Sequence, residues 1–330
     1  MTTSLSQPQR VVTDLPWRRG KASARHLLSL CDIGPKNLSL LVDRSLEFAA
    51  HEVSVPPLIG KTVGIYFKRT STRTRTAFTV AAIKLGATTI AYGPNELQLC
   101  TGETFQDTAR VLAGYLDALV VRTNESIDEM RALASQNEMA IVNAMSDTEH
   151  PTQAIADLVT IKEAFGRLHD VDVLYVGEGN NTAAALAFAA ALTPGMRLTL
   201  LTPAGYGLES SVLETARGLS LQNDSVVEER HDVSSVQSKF DVVYATRWQT
   251  MGVSKPDLDW KEKFKSYRVT PELMQRFSKS ENSIFMHDLP AVRGEDVLDE
   301  VLDGPQSFAF RQARHKLTSA MAILAWCLNR

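Results

Sequence analysis

The stretch that decides the fold runs from Thr62 to Leu85 and reads TVGIYFKRTSTRTRTAFTVAAIKL. Its first six residues are rich in β-branched and aromatic side chains, which favour a strand. A polar loop follows, and then Phe78, Ala81, Ala82 and Leu85 recur with the spacing of one helix face. A strand, a polar loop and a helix in this order predict the start of a βαβ unit.

Strand-like runs alternate with helical patterns along the rest of the chain, in two sets. The first set is TVGIYF (62–67), TTIAYG (88–93), DALVV (117–121) and AIVNA (140–144). The second set is VDVLYVG (171–177), RLTLL (197–201), SVVEE (225–229), DVVYAT (241–246) and SIFMHD (283–288). Such alternation predicts an α/β fold with two doubly wound parallel-sheet, Rossmann-like domains joined by helices.

The domain limits follow from length and from two helical patterns. A length of 330 residues fits two domains of roughly 150 residues each. Pro151 suits the first position of a helix, so we place the boundary near residue 150. The division is a flexible N-terminal tail at 1–22, a first domain at 23–150 and a second at 151–311. A last helix at 312–330 carries an apolar stripe made of Leu317, Ala320, Met321, Leu324 and Cys327.

Composition and charge exclude several classes of protein. Apolar residues make up 44% and charged residues 22%, as in ordinary globular chains. The formal charge of −3 provides no field to hold nucleic acid or an anionic membrane. No apolar run reaches the ~18 residues of a membrane span, so a cytoplasmic protein is expected. The basic residues of the tail leave an organellar transit peptide as the alternative.

The cysteines argue against a disulfide scaffold and against a zinc site. Only Cys31, Cys100 and Cys327 occur, with no CxxC pair and no histidine at ligand spacing beside them. No metal is therefore expected.

Residues 67–76 carry the parts of an anion site. The backbone N–H groups of a helix N-terminus are free and its dipole is positive, which suits a phosphate dianion. The loop adds hydroxyls and a guanidinium, although no GxxxxGK(S/T) motif occurs. Arg73 and Arg75 cannot both face one ligand from a helix, so one is expected to hold structure. A solvated basic helix cap is the alternative interpretation.

Other polar residues stand where strands end or helices begin. His150-Pro-Thr-Gln153 places an imidazole and an amide at a helix start. His287 and Asp288 end one strand and Arg122 ends another, which is where parallel sheets place ligand-contacting loops. A histidine in this position is more often a helix cap than a catalyst, so both roles stay open.

Taken together, these clusters resemble the aspartate and ornithine carbamoyltransferase family, and the ornithine enzyme most. The main matches, in the family's order, are Ser71-Thr-Arg-Thr-Arg75, His150-Pro-Thr-Gln153 and His287-Asp-Leu-Pro-Ala-Val-Arg-Gly-Glu295. Further matches are Asp107-Thr-Ala-Arg-Val-Leu112, Gly177-Glu-Gly-Asn-Asn181, Thr250-Met-Gly252, Asp303-Gly-Pro and Phe310-Arg-Gln-Ala313. The resemblance covers residue 25 to the C-terminus.

The resemblance implies a carbamoyltransferase that moves the carbamoyl group of carbamoyl phosphate to the amine of an amino acid and releases phosphate. The first domain, completed by the helix at 312–330, would bind carbamoyl phosphate, and the second would bind the acceptor. A homotrimer with active sites at its subunit interfaces is implied, with no cofactor.

The resemblance also assigns roles to residues. The carbamoyl phosphate-binding set is Ser71, Thr72, Arg73, Thr74, Gln98, Arg122, His150, Gln153, Leu289 and Lys316, with Gln98 lent by the adjacent subunit. The catalytic set is Arg73, Arg122, His150 and Asp288. The acceptor-binding set is Asn181, Thr246, Arg247, Gln249, Thr250, Met251 and Asp288.

The acceptor residues depart from the ornithine enzyme's pattern. Thr246 stands where that enzyme has an aspartate, and Arg247 and Gln249 resemble the carboxylate-binding residues of the aspartate enzyme. Asp288 replaces a cysteine, and Lys316 replaces an arginine. Asp288 would bind an ammonium group of the acceptor, act as a base, or serve only the turn.

Two other functions are compatible with parts of the sequence. Gly177-x-Gly179-x-x-Thr182 follows a strand as in nicotinamide-dependent dehydrogenases, but the third glycine and the ribose-binding acid are missing. A non-catalytic homologue that binds carbamoyl phosphate is the second alternative. Phosphate release that depends on an amine would exclude both.

Overall fold

The computed structural model describes residues 24–249, 255 and 257–328, so the tail predicted at 1–22 lies outside the described residues. The strands are β1 (Thr62–Phe67), β2 (Thr88–Tyr92), β3 (Ala118–Arg122), β4 (Ala140–Met145), β5 (Asp172–Val176), β6 (Arg197–Leu201), β7 (Val226–Arg230), β8 (Val242–Ala245) and β9 (Ile284–His287). The helices are α1 (Leu30–Ala50), α2 (Thr72–Lys84), α3 (Phe105–Leu112), α4 (Ile127–Leu133), α5 (Pro151–Phe165), α6 (Asn181–Ala191), α7 (Ser210–Asn223), α8 (Trp260–Phe264), α9 (Pro271–Phe277), α10 (Asp299–Leu302) and α11 (Ala309–Leu328).

The first sheet has the strand order β2-β1-β3-β4, and all its pairs are parallel. The order runs outward in opposite directions from the β1–β3 pair, which makes that pair a topological switch point. Loops that leave the carboxyl ends of strands at such a point form a crevice. Here they carry Ser71 and Thr72 after β1, while Arg122 is the last residue of β3.

The second sheet has the order β7-β6-β5-β8-β9, again with parallel pairs. Its switch point lies between β5 and β8. The loop after β5 contains Gly177–Asn180, and the loop after β8 begins at Thr246. Each sheet therefore places one polar crevice at the carboxyl ends of its central strands.

A continuous hydrophobic core joins the two sheets. It contains residues of β1, β3 and β4 together with residues of β5, β6 and β8, and helices α1, α2, α5, α6 and α11 contribute to it. Two smaller cores cover the outer faces of the sheets. α11 packs against α1, α2 and α5, so the end of the chain returns to the first sheet. The α1 backbone bends at Gly34, whose φ of 71° suits a residue without a side chain.

The predicted fold class is confirmed, and all the predicted strands are present in the described residues. The helix predicted to open at Pro151 does so, whereas α11 begins at Ala309 rather than at Gln312. In the described part of the chain, no helix combines the length and the apolarity that a membrane crossing requires. The domain limits at 23–150 and 151–311 stay predictions.

Candidate active site

A cleft of about 310 Å³ lies at the carboxyl ends of the strands of both sheets. We call its two parts the donor end and the acceptor end, after the expected substrates. The donor end is lined by Ser71, Thr72, Arg73, Thr74, Arg122, His150, Gln153 and Lys316. The acceptor end is lined by Asn180, Asn181, Thr182, Thr246, Arg247, Gln249, Asp288 and Leu289.

The N-terminus of α2 forms one wall of the donor end. Ser71 precedes the helix with extended dihedral angles (φ −155°, ψ 103°), and within the described chain its hydroxyl makes no capping hydrogen bond. The first N–H groups of α2 and this hydroxyl are thus available to a ligand. An anion is favoured there because the dipole of α2 is positive at this end.

Two arginines add positive charge to the same place. Arg122 is 6% exposed and its Nη1 lies 3.5 Å from the Thr74 hydroxyl, while its buried Nε has no hydrogen-bond partner among the described residues. Burial lowers the pKa of Arg122 to about 10, and repulsion by Arg73 adds to the effect, against the attraction of Asp288. Burial lowers the pKa of Arg73 in the same way. A buried and a half-buried arginine that repel each other favour the binding of a dianion, which would neutralise both charges.

Arg75 is exposed on the same helix, unlike half-buried Arg73. That one arginine of this pair holds structure stays a prediction, although an exposed side chain such as Arg75 contributes little packing.

His150 is buried at the start of α5, and its Nδ1 lies 3.2 Å from the Thr152 hydroxyl. Its side chain does not cap the helix within the described chain. Burial holds the pKa of His150 well below its usual value, and the charges of Lys316 and Arg122 act in the same direction. The imidazole is therefore neutral, and in the tautomer in which Thr152 donates to Nδ1 its Nε2–H is a donor available to a carbonyl oxygen.

Gln153 and Lys316 lie deepest at the donor end. Lys316 on α11 donates a hydrogen bond from Nζ to Oε1 of Gln153, and Gln153 donates from Nε2 to Oδ1 of buried Asp157 over 2.7 Å. Burial lowers the pKa of Lys316 to about 8, against the attraction of Asp157 and Asp288. Burial raises the pKa of Asp157. The arginine expected here is thus replaced by a cation that can lose its charge near neutral pH.

The acceptor end begins at the N-terminus of α6. Asn180 caps this helix by accepting from the N–H groups of Thr182 and Ala183 over 2.9 and 3.1 Å. The Asn181 side chain donates from Nδ2 to the backbone carbonyl of Ser146 over 2.7 Å. The backbone carbonyl of Asn181 accepts from the backbone N–H of His150. The two ends of the cleft are therefore joined by direct hydrogen bonds.

Asp288 lines the acceptor end with its side chain 16% exposed. Its Oδ2 accepts from the Thr182 hydroxyl over 3.0 Å, and its carboxylate accepts from the Thr246 hydroxyl over 3.2 Å. Thr246 occupies the position where the ornithine enzyme's pattern has an aspartate. Its hydroxyl donates to the carboxylate of Asp288, which follows the neighbouring strand β9. Arg247 and Gln249 line the cleft beside it and are half-buried.

Among the described residues, Gln98 is the predicted site residue that does not line this cleft. Gln98 lies in a short 3-10 helix, Gln98–Thr101, where its Oε1 accepts from the Thr101 hydroxyl over 3.0 Å. Its contribution to the site of an adjacent subunit stays a prediction. Thr250 and Met251 lie outside the described residues.

The sequence interpretation missed several residues at or beneath the cleft. Thr182 holds Asp288, and Asp157 accepts from Gln153, from Gln312 and from Tyr244. The spacing of Asp157, four residues after Gln153 on one helix, is a signal that could have found it. Thr182 and Tyr244 gave no comparable signal, because their partners come from distant parts of the chain.

The glycines that suggested a dehydrogenase have a packing role. A Cβ at Gly179 would clash with the backbone of Gly207, and the Gly179 N–H donates to the Tyr206 carbonyl over 2.8 Å. Close contact between two loops thus explains this glycine without a dinucleotide.

Comparison with known proteins agrees with this geometry. Residues 25–163 match the family model described as "Aspartate/ornithine carbamoyltransferase, carbamoyl-P binding domain", and residues 169–327 match "Aspartate/ornithine carbamoyltransferase, Asp/Orn binding domain". Ornithine carbamoyltransferase of Oceanobacillus iheyensis is 35% identical over 94% of this chain and 96% of its own length. That of Caldicellulosiruptor saccharolyticus is 37% identical over 93% and 99%. The structure of ornithine carbamoyltransferase from Pyrococcus furiosus superposes with a TM-score of 0.86 at 33% identity, covering 93% of this chain and 97% of that one.

The fold and the cleft define an α/β protein with two parallel sheets and a polar cleft, one end of which carries Arg73, Arg122 and Lys316. Within that class, the chain belongs to the aspartate/ornithine carbamoyltransferase family, as its sequence suggested.

Proposed function

We propose that this protein is a carbamoyltransferase that moves the carbamoyl group from carbamoyl phosphate to the amine of an amino acid. The carrying observation is that buried Arg122, half-buried Arg73 and the N-terminus of α2 meet in one cleft with Asp288 and Arg247. One end suits a phosphate dianion, and the other suits a zwitterionic acceptor. Membership of the family supports the same reaction.

The residues account for each charge that changes during this reaction. The amine attacks the carbonyl carbon, a C–N bond forms, and the C–O bond to phosphate breaks with its electron pair leaving on phosphate. Arg73 and Arg122 stabilise the departing dianion, while the Nε2–H of His150 donates to the carbonyl oxygen as negative charge develops on it. The amine loses one proton, which the leaving phosphate can accept because it departs with an additional electron pair.

We further propose that the acceptor carries a carboxylate and a second amino group. Arg247 and Gln249 line the acceptor end, where Arg can grip a carboxylate through two parallel hydrogen bonds. Asp288 is held by the hydroxyls of Thr182 and Thr246 at a place where it can bind an ammonium group. This arrangement supports an ornithine-like acceptor, including a non-standard one.

The proposed assembly is a homotrimer in which Gln98 completes the site of the neighbouring subunit. Support comes from the position of Gln98 on an exposed 3-10 helix away from the cleft of its own chain.

The test is a turnover assay with carbamoyl phosphate and a panel of amines, read by phosphate release and by mass spectrometry of the product. Release that depends on ornithine or on another carboxylate-bearing diamine supports the proposal. Putrescine as the best substrate would contradict the carboxylate requirement. Binding of carbamoyl phosphate without turnover of any amine would instead favour a non-catalytic homologue, which the replacements at Asp288 and Lys316 keep open.

A further inference from the structure

A buried polar network lies behind the donor end of the cleft. Asp157 is completely buried, and three side chains from three different elements donate to its carboxylate. Gln153 on α5 and Gln312 on α11 donate to Oδ1 over 2.7 and 2.6 Å, and the Tyr244 hydroxyl on β8 donates to Oδ2 over 3.0 Å. A carboxylate with donors on both oxygens has a fixed orientation.

The position of Asp157 determines which way the Gln153 amide faces. An amide has a donor end and an acceptor end, so an NH₂ group directed at Asp157 leaves the carbonyl oxygen on the opposite side. That oxygen accepts from the Lys316 ammonium and lines the cleft. A flipped amide would put its NH₂ group beside an ammonium and its oxygen beside a carboxylate, and both contacts are repulsive.

Lys316 is surrounded by charged groups from several elements. Asp157 on α5 and Asp288 after β9 favour its charged form, whereas Arg122 on β3 and Arg73 on α2 oppose it. His150 is a neutral neighbour at the start of α5, and the hydroxyl of Tyr244 faces Asp157. On α11 itself, His315 faces Glu163, with Nε2 3.2 Å from Oε2. Asp157 is thus the buried carboxylate that stands behind the Gln153–Lys316 pair.

We infer that Asp157 is a positioning residue, which orients the Gln153 amide and retains the positive charge of Lys316 at the donor end. The inference rests on the proposed function. Lys316 is close enough to the two arginines to stabilise the same donor, but it can do so only while protonated. Asp157 extends the pH range in which it stays protonated.

The experiment measures kcat/KM for carbamoyl phosphate against pH, at saturating acceptor, for the wild type and Asp157→Asn. The wild type is expected to lose activity as pH rises. The midpoint of this fall, called the alkaline limb, should lie below the pKa of ~10.4 of an ordinary lysine. Asp157→Asn should move this limb to lower pH by about one unit, which is roughly a tenfold loss on the limb. In Lys316→Arg the limb should vanish. The double variant Lys316→Arg with Asp157→Asn should show the same pH profile of kcat/KM as Lys316→Arg alone.

Two more variants make the result specific. Tyr244→Phe removes one donor from Asp157 while keeping the ring, so it should move the limb in the same direction by less, even if Asp157→Asn does not fold. Glu163→Gln is the matched control. Glu163 lies on α5 like Asp157 but faces His315, so its substitution should leave the limb in place. An unmoved limb in a folded Asp157→Asn variant, or a limb that persists in Lys316→Arg, would overturn the inference.

A failure of the proposed function is seen separately. If the wild type releases no phosphate with any amine, the reaction is wrong, and the affinity for inorganic phosphate against pH then replaces kcat/KM. The same shift in Asp157→Asn supports the role of Asp157 in anion binding, and its absence refutes that role.

Discussion

Arg73 and Arg75 are two residues apart on α2 and differ in what surrounds them. Arg73 lines the cleft beside Arg122, whereas Arg75 is exposed. We expect Arg73→Ala to weaken binding of carbamoyl phosphate roughly 100-fold, because the dianion loses a charge-assisted partner in a partly buried site. Arg75→Ala removes the same charge from the same helix and is expected to keep donor affinity within about threefold. Calorimetric titration of both variants with carbamoyl phosphate measures these affinities, with circular dichroism to check folding; equal losses in the two variants would contradict the assignment.

Asp288 gives a second prediction for a single side chain. If it binds the acceptor's ammonium, Asp288→Asn should lower kcat/KM for a diamino acid roughly 10- to 100-fold and have little effect on an analogue that lacks the second amino group. Asp288→Cys restores the residue of the ornithine enzyme's pattern and is the companion variant. Steady-state kinetics with both acceptors decide the matter, since equal losses in kcat for both would indicate a base, and no loss for either would leave Asp288 as a turn residue.

At the scale of residues, the sequence predicted the site residues that stand at strand ends and helix starts. It did not predict the residues that hydrogen-bond to them. Ser71, Arg122 and His150 could be found because each belongs to a short motif at a predictable boundary. Thr182 could not, because its partner Asp288 is 106 positions away and the contact exists only once β5 and β9 share a sheet.

Lys255, which lies between β8 and α8 in the chain, is an unusually buried lysine. Lys255 is only 3% exposed at its side chain and forms an ion pair with Glu178. Its ammonium also lies 4.5 Å from the ring centre of Tyr206 and 4.9 Å from that of Phe264. Glu178 precedes Asn180 and Asn181 in the loop after β5, so Lys255 contacts the loop that forms one side of the acceptor end.

Lys255→Met is therefore expected to raise the acceptor KM by about tenfold while the KM for carbamoyl phosphate stays the same. Loss of a buried ion pair and of cation–π contacts removes the partner of Glu178, two residues before Asn180, but leaves α2 and Arg122 in place. Lys261→Met is the control, because Lys261 also lies over an aromatic ring, that of Trp260, but is 56% exposed. A parallel rise of both KM values in Lys255→Met would show a general loss of structure instead.

The elements themselves were the most predictable part of this protein. Each strand is a short apolar run between polar turns, and β3, β4 and β5 are buried along their whole length, as expected for parallel sheets. Strand order was not predictable. β3 pairs with β1 rather than with β2, which precedes it in sequence, and no local sequence pattern indicates this pairing. The switch points, and with them the location of the cleft, follow from that order.

At the scale of the whole molecule, the two sheets meet through the segment between β4 and α5. His150 hydrogen-bonds to Asn181, and Glu149 immediately before it accepts from the Leu30 N–H at the start of α1 over 2.9 Å. Glu149 is 2% exposed. Burial raises its pKa to about 7, and the hydrogen bond from Leu30 only partly offsets this. The start of α1 and the start of α5 are thus held together by a carboxyl group that changes charge near neutral pH.

This carboxyl group makes global stability depend on pH. A carboxyl whose pKa is raised in the folded state stabilises the fold fully below its ordinary pKa and loses that contribution as pH rises through the folded value. For Glu149 the loss should occur between about pH 4.5 and just above about pH 7 and amount to about 3 kcal/mol.

Glu149→Gln tests this, because a glutamine keeps the acceptor for Leu30 but cannot ionise. The free energy of urea unfolding of the wild type minus that of Glu149→Gln should therefore fall as pH rises through this range, measured at one protein concentration so that assembly does not enter. Other titrating groups, including Asp157, are present in both proteins and cancel in the difference. Glu138→Gln, at an exposed position just before β4, is the control and should give a difference without this slope, because water solvates both forms of an exposed carboxyl. A flat difference for Glu149→Gln as well would mean that Glu149 stays ionised and is compensated within the fold.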